Sequence, residues 1–128
     1  MRRQALVLYG DAATLFPDDP RPFLYEGLCY ERLTGIAQTS EDKESYFMLG
    51  EAVLRKALTL SGVAPQNYNL SLPYRALAAL YAHMNDYHSV LDSLKNAQRV
   101  DPNGPDSAHL KMEIENVERY LKQQDPKR

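Results

Sequence analysis

Few residues in this chain have the chemistry for catalysis or metal binding. There is one cysteine, Cys29, and there are three histidines, His83, His88 and His109. A cysteine becomes a nucleophile when a neighbouring base or cation favours its thiolate. Cys29 instead has Leu28, Tyr30 and Leu33 around it in sequence, the setting of a small core residue. His83 and His88 are five apart, a spacing that does not place two imidazoles on one helical face. His109 opens the last helical stretch, and nothing in the pattern gathers the three into a zinc site. The run Glu41-Asp42-Lys43-Glu44 offers carboxylates for acid–base or metal work. The same run is what a helix's first turn uses to complement its dipole. There is no Gly-rich phosphate loop, no nucleophile elbow and no paired zinc ligands. Asn69-Leu70-Ser71 fits a glycosylation sequon by chance. These residues give no reason to expect an enzyme, a metal or a cofactor.

Composition narrows the class further. At 128 residues the chain suits one domain or a short stack of repeats. With 44% hydrophobic and 25% charged residues it has enough apolar content for a folded core. A formal net charge of −2 leaves no electrostatic case for nucleic acid, which wants a basic face. A single cysteine excludes an internal disulfide framework. No apolar run approaches the roughly 20 residues that span a bilayer, so no membrane insertion is expected. Met1-Arg2-Arg3-Gln4 is a basic head, but the apolar run after it, Ala5–Tyr9, ends at Gly10-Asp11. That is short for a signal peptide, so this segment reads as helix and the location as cytoplasmic.

The elements that must position any function are helical, and Ser71–Pro102 shows them best. Tyr74, Leu77 and Tyr81 lie three and seven residues apart, on one helical face. Val90, Leu94 and Ala97 repeat this at four and seven. Between them, Asn85 tolerates the left-handed conformation that ends a helix, and Asp86 can cap the next. Ala78 and Ala97 are small where two axes approach to about 8–10 Å. Pro102 stops the second helix, having no N–H to donate and a ring that clashes with the preceding turn.

The pattern Tyr74-x-x-Leu77-Ala78-x-x-Tyr81, then Val90-x-x-x-Leu94-x-x-Ala97-x-x-x-x-Pro102, resembles the tetratricopeptide repeat. Tyr74 stands for the family's Trp, Ala78 for its Gly, Val90 for its first Ala and Leu94 for its Phe, each keeping the size class. Residues 1–16 match a half repeat, Ala5-x-x-x-Tyr9-x-x-Ala12-x-x-x-x-Pro17, so the array opens in mid-repeat, as a fragment of a longer solenoid or with a lone first helix. Leu6, Val7, Leu8 and Tyr9 put apolar groups almost all round that helix, a pattern of burial on more than one side. Residues 20–62 form a stretched repeat with Phe23, Glu26, Gly27 and Tyr30, then Gly50, Leu54 and Ala57; Glu26 stands where the family prefers Leu. Its first helix, opened by Pro20 or Pro22, is expected to end near Thr34-Gly35 on a left-handed glycine. Tyr30 to Gly50 is eleven residues longer than Tyr81 to Val90. A longer loop, and a second helix extended backwards to run from about Ser40 to Leu60, are expected to absorb them. Thr39-Ser40-Glu41-Asp42 is its start signal. Six further residues lie in Val63–Leu70. Residues 71–102 are the full repeat. Residues 105–124 hold a capping helix, Ser107–Gln124, with Leu110, Ile114, Val117 and Leu121 on one face and charges on the other. Asp125–Arg128 is a frayed tail.

The resemblance implies an all-α fold of about six helices in a right-handed α-α superhelix, one domain over residues 1–128. It also implies an interaction module or scaffold that holds a protein or peptide partner on the concave face. Carried over by position, that face comprises Arg21, Leu24, Tyr25, Leu28 and Arg32, then Leu72, Arg75, Ala76, Ala79 and His83. Arg21, Arg32 and Arg75 would pair with carboxylates; Tyr25 and Leu28 offer apolar contact. The Lys and Asn set with which some members hold a terminal carboxylate is replaced by Leu24, Leu28 and Ala76, so chaperone tails are not expected ligands. The uncovered Leu6–Val7 side points to self-association through the N-terminal helix, or to a segment that precedes it. Two alternatives remain beside the scaffold reading: a regulatory or targeting domain of a larger enzyme or membrane-associated assembly, and a structural spacer.

Overall fold

A computed structural model of the chain describes residues 2–63 and 68–124. Its regular structure is all helical: α1 Arg2–Leu15, α2 Pro20–Ile36, α3 Ser40–Thr59, α4 Leu72–His83, α5 Tyr87–Val100 and α6 Ser107–Gln124. A 3-10 turn, Ser61–Val63, follows α3, and there is no strand among the described residues. The six helices gather in two compact units, Met1–Asn69 and Leu70–Arg128.

In the first unit α2 packs against both α1 and α3. Asp19 caps α2 by accepting the Arg21 N–H on Oδ1 at 2.9 Å, and Pro20 stands at the first turn, where no N–H is missed. Thr39 caps α3 in the same way, accepting the Asp42 N–H at 3.1 Å. Two expectations about this pair need correction. The helix does not end on a left-handed Gly35: α2 runs through it to Ile36, and no described glycine has a positive φ. Extended Ala37, at φ −59° and ψ 134°, turns the chain out instead. Nor is there a longer loop. Three residues join α2 to α3, as three join α4 to α5. The eleven additional residues all went into helix, since α2 and α3 have 17 and 20 residues against 12 and 14 in α4 and α5.

The seam between α2 and α3 is tight because one side of it has no side chain. Gly27 is buried, and a methyl group placed on it would overlap Leu54 of α3, itself 0% exposed. Gly50 and Ala57 are the other small buried residues of α3. Thr34 is fully buried on α2 and satisfies its hydroxyl locally, donating to the Tyr30 carbonyl at 2.7 Å. In α1, Leu6 and Tyr9 are half-buried while Val7 and Leu8 are 63% and 68% exposed. The apolar surround of this helix is therefore not matched by burial on every side.

In the second unit α5 packs against α4 and α6. The link between α4 and α5 is built as its residue types require. Asn85 takes φ 58°, in the left-handed region, and Asp86 caps α5, accepting the Ser89 N–H at 3.3 Å and its hydroxyl at 2.7 Å. Leu77, Ala78, Leu80, Tyr81, Val90, Leu94 and Ala97 are buried, each large one contributing about 1.5–3 kcal/mol of transfer free energy. α5 stops at Val100, two residues before Pro102. On α6, Leu110 and Ile114 are buried and Val117 and Leu121 half-buried, the expected stripe. Much of Val63–Leu70 and the tail Asp125–Arg128 lie outside the described residues. No described helix is long and apolar enough to cross a membrane.

Candidate partner-binding face

α2 presents one open side. Arg21, Tyr25 and Arg32 are exposed and Leu28 is half-buried. At about 100° per residue these four fall within some 60° of arc, so they form a single stripe along the helix. Leu24 does not belong to it. It lies about 60° from Arg21, toward the packed side of α2, and is 2% exposed.

Arg21 is fixed by its own cap. Its Nε donates to Asp19 Oδ1 and Oδ2 at 3.0 and 3.1 Å, and Nη2 donates to Oδ2 at 2.7 Å. This fork holds the Asp19 carboxyl below the usual carboxylate range. The guanidinium is stabilised in turn. Tyr25 meets Tyr9 of α1 with ring centroids 5.3 Å apart and planes tilted by 31°, within the range of favourable aromatic pairs. Arg32 makes no ion pair or hydrogen bond with a described residue.

Near the Asp19 end of the stripe sits Tyr68. Burial pushes its hydroxyl up to about 12, and the charges of Asp19 and Tyr25 add to the effect. Its Oη is buried and forms no hydrogen bond with a described residue. Ser61 Oγ is near enough to favour the phenolate slightly, but it donates to the Ala57 carbonyl at 3.1 Å, so the unpartnered geometry is the better description. On the flank of α2 away from the stripe, burial raises the Glu26 carboxyl. Burial and the Glu26 charge raise the Tyr30 hydroxyl.

The positions carried over to α4 behave differently. Ala76 is buried, at 5% exposure, and Leu72, Ala79 and His83 are half-buried. Arg75 is not the exposed cation expected: its Nη1 donates to Asp106 Oδ2 at 2.9 Å, tying α4 to the turn before α6. No residue of α4 is fully exposed. Among the described residues no group of three or more His, Cys, Asp or Glu side chains could hold a metal ion. Cys29 is half-buried.

Three participants escape sequence reasoning. Asp19 is legible in principle, since Asp before Pro at a helix start is a cap signal. Tyr9 reads from spacing as a core position only. Asp106 lies 31 residues from Arg75 and leaves no local signal. No family model, no curated protein and no solved structure matches this chain.

Proposed function

We propose that this chain is a tetratricopeptide-like interaction module which holds a segment of another protein on the open side of α2. The observation that carries the reading is the stripe Arg21, Tyr25, Leu28 and Arg32, exposed at all but the half-buried Leu28, on a helix that α1 and α3 pack against. Tyrosine and arginine are the residue types enriched where protein interfaces concentrate their binding energy. Helices fixed by packing and caps keep such a stripe in register, so less ordering entropy is lost on binding. The right-handed solenoid that the resemblance implies, and the cytoplasmic location expected from the N-terminal segment, belong to the same reading. It is tested by photo-crosslinking from a source lysate, with a benzophenone amino acid in place of Tyr25 and, as control, in place of Lys111 on α6. A discrete adduct at position 25, absent at 111 and lost on Arg32→Glu, is expected. Equal labelling at both positions, or none at 25, refutes the reading.

A second reading, self-association through α1, is favoured by its exposed apolar residues. Val7, Leu8, Leu15 and Phe16 are 63, 68, 73 and 61% exposed, and exposed large apolar residues gathered on one element favour association. Light scattering should then show a concentration-dependent dimer that Leu8→Glu abolishes. A monomer at every concentration ends that reading.

A further inference from the structure

α3 turns Gly50, Leu54 and Ala57 inward, and its opposite side is patterned as well. Met48 and Leu49 stand there midway along the helix, 61% and 48% exposed. Exposed Glu41 and Asp42 lie on their N-terminal side, and exposed Arg55 and Lys56 on their C-terminal side. At about 100° per residue Glu41, Met48, Ala52 and Lys56 fall within some 80° of arc, away from Leu54, and Leu49 lies about 20° beyond Lys56. We infer that this face of α3 pairs with the same face of a second copy of the chain, the two helices antiparallel about a two-fold axis between Met48 and Leu49. The inference is independent of the reading of the α2 stripe, none of whose residues it uses.

The spacing is self-complementary. Glu41 and Lys56 each lie seven residues outward from the Met48–Leu49 centre, Asp42 and Arg55 each six, and the small Ser45 and Ala52 each three. In an antiparallel pair centred there, Met48 meets Leu49 of the second copy and Glu41 meets Lys56, at both ends, because a two-fold contact presents one patch to itself. Glu41 and Lys56 make no ion pair with a described residue. Arg55 already meets Glu51 at 3.6 Å, so the charge argument stands on Glu41 and Lys56. Acid at the start of a helix and base at its end also complement the helix dipole. The dipole gives no reason for two large apolar side chains to stand exposed between them. A parallel pair would set Glu41 against Glu41. A partner of one charge sign would be repelled at one end. A helix of 20 residues is about 30 Å long and 10 Å wide, so the face is smaller than the ~800 Å² that each partner gives to a standard interface, and the dimer dissociates readily.

Sedimentation velocity of the full chain from about 10 μM to 1 mM tests this, with each variant checked for unchanged helical circular dichroism. Wild type should dimerise with concentration. Lys56→Glu makes both ends of the face acidic and Glu41→Lys makes both basic, so each alone should dimerise about tenfold more weakly or worse. Mixed in equal amounts they should recover a heterodimer, and the chain carrying both substitutions should recover the homodimer. Salt should weaken the wild-type dimer and relieve the repulsion in the single variants. The dimer should persist in Leu8→Glu, which bears on the α1 contact alone. A monomer at every concentration overturns the inference, as does a dimer indifferent to both single substitutions. Single variants that weaken without recovering on mixing overturn the antiparallel pairing and the inference with it. A dimer lost on Leu8→Glu assigns self-association to α1 and likewise overturns it.

Discussion

Replacing Gly27 by Ala should destabilise the protein, although in most helices that change is favourable. Alanine gains about 0.5–1 kcal/mol over glycine in a helix interior through backbone entropy. Here the new methyl runs into Leu54, whose side chain is wholly buried and must shift within the core to make room. Overpacking of this kind costs about 1–3 kcal/mol, which exceeds the entropic gain. The net expectation is a loss of about 1–2 kcal/mol. Leu54→Ala alone should cost about 2–5 kcal/mol through lost transfer free energy and a cavity. In the double variant the methyl introduced at position 27 has room, so the two losses should fall short of additivity by about 1–2 kcal/mol. Gly10 is the internal control: it is a helical glycine of α1, and a methyl there meets nothing within 4 Å. Gly10→Ala should therefore raise stability by up to about 1 kcal/mol. Urea unfolding of the full chain, followed by circular dichroism, reads all four variants as shifts in midpoint at constant slope. If Gly27→Ala is as stabilising as Gly10→Ala, or the double variant is strictly additive, Gly27 and Leu54 do not set the distance between α2 and α3.

Asp19 acts as cap and as counter-ion, and two substitutions separate these. Asp19→Ala should cost about 0.5–2 kcal/mol, Asp19→Asn under about 1 because the amide oxygen still caps. The carboxylate's contribution is complete above its ordinary value of 3.8 and is lost as pH falls through its lowered folded value, so wild type and Asp19→Asn should converge in midpoint in acid. Tyr68→Phe should be neutral or stabilising, because it removes a buried hydroxyl with no described partner; clear destabilisation would reveal a hydrogen bond there. In an alkaline absorbance titration one tyrosine should ionise near 12, and stability should fall between the ordinary value of 10.0 and that pH, a fall that is smaller in Tyr68→Phe, where only the raised Tyr30 hydroxyl still contributes. Glu26→Gln should raise the melting temperature at neutral pH, since burial disfavours the charged carboxylate, and the gain should vanish below the ordinary value of 4.5. A gain that persists in acid would assign the effect to packing.

What is legible in the sequence is local. Asn85, Asp86, Thr39 and Pro20 act within three or four residues of themselves, and each sits where its chemistry predicts. Six helices and the face of α6 follow from such signals and from apolar spacing. Gly35 misleads because a glycine signal is degenerate: it permits a left-handed exit without requiring one, and here α2 continues through it. The eleven extra residues could lie in loop or in helix, because length alone does not say which. Thr39 and extended Ala37 close the connection in three residues, leaving helix as the only place for the rest.

The candidate face is half legible for a related reason. Spacing aligns Arg21, Tyr25, Leu28 and Arg32, and they do share an open stripe, but Leu24 and Ala76 lie near enough to the packed sides to be buried. Which arginines are free depends on partners that spacing does not encode. Arg21 is held by Asp19 two residues away, and that fork leaves its guanidinium exposed on the stripe. Arg75 looks the same in sequence, yet its carboxylate comes from Asp106, across the unit, and the pair fastens α4 to the turn before α6. Reversing the charge at Arg75 therefore sets two acids against each other inside the fold and perturbs stability. Reversing it at Arg32 breaks no hydrogen bond or ion pair with a described residue, so Arg32 is the position at which the proposed binding can be tested apart from these contacts.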